Sequence, residues 1–427
     1  VEEYSHTNPI SEMTKLRAVS TKGYVGVNLD EAYTPAKRVY SDDSLGILSI
    51  TSSSDGNVGV SKTLTLEPSI VNMRGFCDIA DNDDKVEKLK DANLFNPSEL
   101  AYPIGVTHDD TVRTSMASKQ TAAMLATKKT SPVLISNGIE EVVKYNVSSD
   151  FAVVADDDGT VVERDEKTNL MVVKYNNGKF RAIDLAGTIV KNGGGGMYLS
   201  SKLISTLKVG DKVKKNDILA YHENYFTNNS THGCRCNAGS FLKIAIGSYY
   251  ALYEDGCVIT KKASRDMAAD IVYKCPASIG KNSNIESMVK VGDKVDIGDT
   301  LISYDTSFED SSMNALLKIM SDDLNEQILE NSRNNVKSKY EGTVEKIEIF
   351  STVELSEMSD SLKNVVSKYY ADVKKRESLL NKYKNDDDGG LVKCGMVFDA
   401  TTEKTSPNKF GVIKGEKVED GVLIIFY

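Results

Sequence analysis

Leu207-Lys208-Val209-Gly210-Asp211-Lys212-Val213, leading to Asp217-Ile218-Leu219, returns later in the chain as Val289-Lys290-Val291-Gly292-Asp293-Lys294-Val295, leading to Asp299-Thr300-Leu301. Around each Gly-Asp pair, apolar residues alternate with polar ones in the period of a strand. Glycine enters the positive-φ region without cost, and aspartate bonds to nearby backbone, so Gly-Asp marks a tight turn between two short strands. The second Asp of each copy marks the turn back. A looser copy, one residue shorter, runs from Gly415-Glu416-Lys417-Val418 to Val422-Leu423. The repeat predicts small β-barrels with hammerhead-like turns, and so a β-rich protein.

Biotinyl and lipoyl carriers also use such turns, but they display a modified lysine on a hairpin. Lys290 in Met288-Val289-Lys290 sits too close to its own Gly-Asp turn for that role. At 427 residues the chain has room for two to four domains. Its 40% hydrophobic and 27% charged content is that of ordinary globular protein. A net charge of −10 argues against a general nucleic-acid coat protein, while leaving room for local basic patches. No apolar run is long enough for a membrane span. Val1-Glu2-Glu3-Tyr4 lacks a signal peptide's basic and apolar regions, so secretion is not expected. His232-x-Cys234-x-Cys236 lacks the CxxC pairing and second ligand pair of a zinc site, so reduced thiols and no zinc are expected.

Outward from the repeat, residues 1–75 read as loops with short strands, punctuated by Gly23, Gly26, Gly46, Gly56 and Gly59. Residues 110–129 contain neither Gly nor Pro and predict a helix, with Asp109 or Asp110 as N-cap. Residues 150–155 and 170–175 alternate as strands. Residues 355–383 carry Leu355, Met358, Leu362, Val365, Val366, Tyr369, Val373, Leu380 and Tyr383 mostly at three- and four-residue spacing. They predict a long helix, either a coiled-coil arm or a helix lying on another surface. The Asp156–Gly159 stretch reads as a turn, Asp386–Gly390 as a solvated linker, and the Gly193–Gly196 run lacks the Lys and Ser/Thr of a phosphate loop.

Two further stretches bear on chemistry. His108-Asp109-Asp110-Thr111-Val112-Arg113-Thr114-Ser115-Met116 opens the first helix. Tyr253-Glu254-Asp255-Gly256-Cys257-Val258-Ile259 sets two carboxylates in an apolar stretch. Nucleotidyl transfer needs cations on a triphosphate and carboxylates near a metal. Arg113 has the planar fork for phosphate, and Glu254 and Asp255 can reach a metal directly or through its water. By residue type alone, an arginine on a helix is usually a surface residue and a Glu-Asp pair usually a turn.

Taken together and in this order, these stretches resemble the central portion of the β subunit of multisubunit DNA-directed RNA polymerases. The resemblance is collinear over most of the chain. Asn8-Pro9-Ile10-Ser11-Glu12-Met13-Thr14, with Arg17 and Ser20, is similar to the rifampicin-pocket stretch beside the RNA–DNA hybrid. Residues 23–27 fall at the fork loop, and Asn57-Val58-Gly59-Val60 resembles an Asn-Ile-Gly-Leu stretch. Leu242 to Ile259 resembles strands of a double-psi β-barrel. Ser311 to Met320 resembles the flap-tip helix, Gly342-Thr343-Val344 the flap strand after it, and Gly421 to Tyr427 the strand returning to the barrel. The departures include Lys119, where the family has an Asn near the substrate ribose. Lys15 and Ala18 replace a His and an Arg of the drug pocket, which predicts rifampicin resistance. The chain begins without an amino-terminal lobe and stops before the family's catalytic lysines. Division of β between polypeptides is therefore expected, as in giant bacteriophages.

The resemblance implies a mixed α+β fold, rich in β-barrels, with a hammerhead-like flap and a helical arm. The expected regions are 1–75 (hybrid and fork), 76–150 (nucleotide site), 151–285 (β-rich, leading into the double-psi barrel), 286–395 (flap and arm) and 396–427 (return strand). It implies that Arg113, Asp110 and Lys119 bind the nucleoside triphosphate and that Asn8, Ser11, Arg17 and Ser20 lie near the hybrid. Glu254 and Asp255 would act at the second Mg2+, directly or through its water, with the main Mg2+ site on a β′-like chain. Implied partners are other β and β′ fragments, template DNA, the RNA–DNA hybrid and a promoter-specificity subunit, in a host-cell cytoplasm or a virion. The alternative is a phage structural or adaptor protein built from β-barrel modules.

Overall fold

The computed structural model describes residues 7–20, 34–52, 56–70, 72, 89–102, 111–192, 197–248, 250, 256–305, 333–383 and 421–427. The architecture is mixed α and β and includes a sheet curled into a half-barrel. The chain divides into two compact units, Val1–Ile271 and Val272–Tyr427. No helix among the described residues is long and apolar enough to cross a membrane.

Both Gly-Asp copies fold as expected, one in each unit. Gly210 and Gly292 take φ of 94° and 96°. Asp211 Oδ2 accepts from the Lys208 N–H at 2.7 Å, and Asp293 Oδ2 accepts from the Lys290 N–H at 2.7 Å. At the turn back, Asp217 and Asp299 accept in the same way from the backbone N–H groups of Lys214 and Asp296, each at 2.8 Å. Positive φ recurs there at Asn216 and Gly298, the residue types that tolerate it.

The match extends to a second segment. Gly159-Thr160-Val161 lies against Lys212 and Val213, with Gly159 opposite Val213. Gly342-Thr343-Val344 lies against Lys294 and Val295, with Gly342 opposite Val295. Gly210 N–H donates to the Val161 carbonyl at 2.8 Å, and Gly292 N–H to the Val344 carbonyl at 2.8 Å. The Ala152–Val154 strand pairs with Ile218–Tyr221, as Arg333–Lys337 pairs with Thr300–Asp305. The two modules are therefore equivalent bond for bond, but their halves come in opposite chain order. In the first unit the Gly-Thr-Val half precedes the Gly-Asp half; in the second it follows.

Each module feeds its own core. Val161, Val213 and Leu219 join Val153, Met171 and Val173 in the first unit. Val295, Leu301 and Val344 join Ile279, Ile349, Leu362, Val422 and Ile424 in the second. In the second unit the Gly421–Phe426 strand lies between Cys275–Gly280 and Ile347–Ser351 and is wholly buried. The looser third repeat copy at 415–418, the glycine run at 193–196 and the flap-tip stretch at 311–320 lie outside the described residues.

Several elements differ from the sequence expectation. The long helix spans Asp360–Lys382, after a 3-10 turn at Leu355–Glu357, and starts where the Ser359 side chain accepts from the Leu362 N–H. It packs on the sheet through Leu362 and Val366, while its later turns expose most of their surface. The helix expected over 110–129 ends at Ala123, because residues 128 and 129 instead donate to the carbonyls of Ala268 and Asp266. Residues 242–248 and 256–259, expected as barrel strands, belong to no strand. The amino-terminal region contains a helix, Pro9–Lys15, where only loops and short strands were expected.

Candidate functional site

The Pro9–Lys15 helix starts at Asn8, whose side chain accepts from the Ser11 N–H at 2.7 Å. Pro9 occupies the first helical position, where its missing N–H costs nothing. The same Asn8 side chain donates through Nδ2 to the carbonyls of Thr121, Ala122 and Met124, at 3.1, 3.1 and 2.8 Å. These carbonyls lie at the carboxyl end of the Thr111–Ala123 helix, where backbone acceptors lack intrahelical partners. One fully buried side chain thus caps the start of one helix and the end of another.

The rest of the amino-terminal helix is anchored as firmly. Buried Glu12 accepts from the Ser148 N–H at 2.8 Å and the Ser148 hydroxyl at 3.0 Å. Ile10 and Met13 enter a core with Phe95, Leu100, Ile139, Phe151 and Phe226. Arg17 is half-buried; Nη1 donates to the Met13 carbonyl at 3.1 Å and Nη2 to the Leu66 carbonyl at 3.4 Å. Burial lowers its pKa, but a guanidinium stays charged, and here it serves the helix's negative end.

The Thr111–Ala123 helix buries hydroxyls and exposes cations. Thr114, Ser115 and Ser118 face inward, and Ser118 Oγ lies 2.5 Å from Ser98 Oγ on the Pro97–Leu100 helix. Arg113 and Lys119 lie on exposed positions with Val112 and Met116. The structure thus ties the helix carrying Arg113 and Lys119 to the segment carrying Asn8, Ser11, Arg17 and Ser20. Ser20 is exposed, at the end of the Ala18–Ser20 strand opposite Ser61. Ser11 is buried. Asp110, Glu254 and Asp255 lie outside the described residues, and with them the proposed Mg2+ ligands. Among the described residues no cluster of three His, Cys, Asp or Glu could hold a metal.

A further polar cluster is formed by residues that the sequence pattern alone does not bring together. Glu99 is buried and accepts from the Ser49 hydroxyl at 2.6 Å, the Thr51 hydroxyl and the Asn96 N–H at 2.8 Å. Burial pushes its carboxyl up to about 7, against the pull of the Ser49 and Asn96 hydrogen bonds. The signal lay in Asn96-Pro97-Ser98-Glu99, a capping box with proline at the first helical position. The buried thiols of Cys234 and Cys236 are pushed up to about 11 and about 12 by desolvation, so both stay protonated at neutral pH. His232 lies exposed at a turn and donates its backbone N–H to Asn229 Oδ1 at 2.6 Å.

Compared with known proteins, the chain matches no protein-family model and no curated protein sequence.

Proposed function

We propose that this chain is a β-subunit portion of a phage DNA-dependent RNA polymerase, on the nucleotide and hybrid side of the active centre. The observation that carries this reading is the link through Asn8. The helix that begins in the His-Asp-Asp-Thr-Val-Arg stretch presents Arg113 and Lys119 to solvent and is capped by the segment that leads to Ser20. The two stretches that resemble the family's nucleotide and hybrid sites thus share one frame.

In this reading Arg113 neutralises charge on the incoming triphosphate, with Asp110 and Lys119 lining the same site. Asn8 and Ser11, being buried, hold the wall rather than touch the hybrid, and Ser20 is its exposed contact. Glu254 and Asp255 orient water around the second Mg2+, and the main Mg2+ site belongs to a β′-like chain. The remaining β segments, template DNA and the RNA–DNA hybrid complete the assembly. Arg113→Ala in the reconstituted complex is expected to slow nucleotide addition by about 10²–10³ without loss of assembly. Glu254→Ala with Asp255→Ala should slow it as well. Wild-type elongation from both variants would defeat the assignment.

The duplicated Gly-Asp module and the net charge of −10 favour a second reading, a structural or adaptor protein. Such a protein would assemble without a β′-like chain and would leave nucleotide addition untouched by either substitution.

A further inference from the structure

The Asp360–Lys382 helix of the second unit has two unlike sides. Leu362 and Val366 are fully buried in the core with Ile279, Ile349, Val422 and Ile424, and Val365, Tyr369 and Tyr370 pack beside them. Ser361 Oγ accepts from the Ile285 N–H at 2.9 Å, and these contacts together fix the rotation of the helix about its axis. Each residue turns by about 100°. Lys368, Lys375 and Lys382 therefore form a stripe opposite Leu362 and Val366, with Lys363 and Lys374 along one border. All five lysines are exposed. The positions between them are the uncharged Asn364, Ser367, Ala371, Ser378 and Asn381. Asp372 and Glu377 fall to the two sides, nearer the sheet than the stripe is. Residues 363–382 hold six cations against two carboxylates, in a chain whose net charge is −10.

We propose that this stripe docks the phosphate backbone of a nucleic-acid duplex. The helix is about 34 Å long and sets a lysine roughly every 10 Å along the stripe. A duplex carries one charge per about 1.7 Å of its axis, so each ammonium meets a phosphate whatever the register. Lysine binds phosphate as a point charge, and the contact is therefore independent of sequence. The chemistry of the face selects the duplex over other polyanions. A single strand needs aromatic rings on which its bases stack, and Tyr369 and Tyr370 pack on the core side instead. An anionic membrane needs an apolar helix face to enter the interface, and the sheet already covers that face. An acidic polypeptide would need carboxylates spaced to match the lysines, a demand that closely spaced phosphates do not make. The proposal goes beyond the function given above and does not rest on it.

Binding of a fluorescent DNA duplex of arbitrary sequence to the full chain, followed by anisotropy as salt rises from about 50 to about 200 mM, tests this. Five phosphate contacts predict a slope of log K against log[salt] of about −4.5, a loss of affinity of about 500-fold over that range. Lys368→Gln, Lys375→Gln and Lys382→Gln together should bring the slope to about −1.8, whereas Arg at the same three positions should keep it near −4.5. Slow hydrogen exchange across the Gly421–Phe426 strand in the Gln variant shows that it is folded. Absence of binding at the lowest salt, or a slope that the Gln variant leaves unchanged, would overturn the proposal. Equal affinity for a single strand would overturn it too. So would a Gln variant that sheds an acidic polypeptide from the native complex while binding the duplex as before, since a protein would then be the occupant. Each of these results leaves the Arg113 and Glu254 tests of nucleotide addition unaffected.

Discussion

The Gly-Asp module of the first unit and that of the second make the same turns and the same backbone bonds, yet their halves are joined in opposite order. Their surroundings also differ. In the first unit the Gly159–Asp165 strand runs on from the module into a sheet with Leu170–Tyr175 and Phe180–Asp184. In the second, the Gly342–Thr343 strand is two residues long, and the chain passes to a sheet built around Gly421–Phe426. The module is thus specified by local chemistry, glycine at positive φ and aspartate on backbone N–H, and is indifferent to connectivity. What surrounds it is specified by whichever strands the rest of each unit supplies.

The sharpest test of equivalence removes a matched core residue from each. Leu219 and Leu301 hold the same place after the turn back, and both are buried. Leu219→Ala and Leu301→Ala should each cost about 2–5 kcal/mol, measured by denaturant unfolding. A small cost at one position would show that its module is supported from elsewhere.

The next test separates the units by pH. Glu99 belongs to the first unit, and the second has no buried carboxylate among the described residues. Burial raises the Glu99 carboxyl from 4.5 to about 7. The folded state therefore favours its protonated form. The associated stabilisation is complete below about 4.5 and is lost as pH rises through about 7. The first unit should lose about 3 kcal/mol from this group between pH 4.5 and pH 8, and Glu99→Gln should flatten that dependence. Hydrogen exchange followed within each unit at both pH values checks it; an equal loss in the second unit would place the cause elsewhere.

The finest test uses the matched glycines of the Gly-Thr-Val halves. A Cβ on Gly159 would meet the Lys174 carbonyl oxygen at 2.5 Å, whereas one on Gly342 would meet nothing within 4 Å. Gly159→Ala should cost about 1–3 kcal/mol, and Gly342→Ala should be neutral or stabilise by up to about 1 kcal/mol. Equal shifts in unfolding midpoint would mean that the two surroundings are alike after all.

Local signals in the sequence are legible where chemistry within a few residues decides the outcome. The two Gly-Asp turns, the 170–175 strand and the long helix of the second unit belong to this class. Asn8-Pro9 and Asn96-Pro97-Ser98-Glu99 carried equally local helix starts, but four-residue and seven-residue helices are too short for apolar periodicity to register. The candidate site was legible in part. Arg113 and Lys119 stand exposed on a helix, as their residue types suggested. That Asn8 and Ser11 are buried framework was not legible, because Asn8's partners lie more than a hundred residues away.

By itself, then, the sequence determined the turns, the strand periods and the helix starts, since each depends on φ preferences and side chains that bond to adjacent backbone. Only the tertiary structure decided that two modules of opposite chain order are equivalent, that the helix from Thr111 stops at Ala123, and that residues 242–248 belong to no strand. Each of these depends on which distant backbone groups and apolar faces meet, and pairing between remote segments leaves no trace in local spacing.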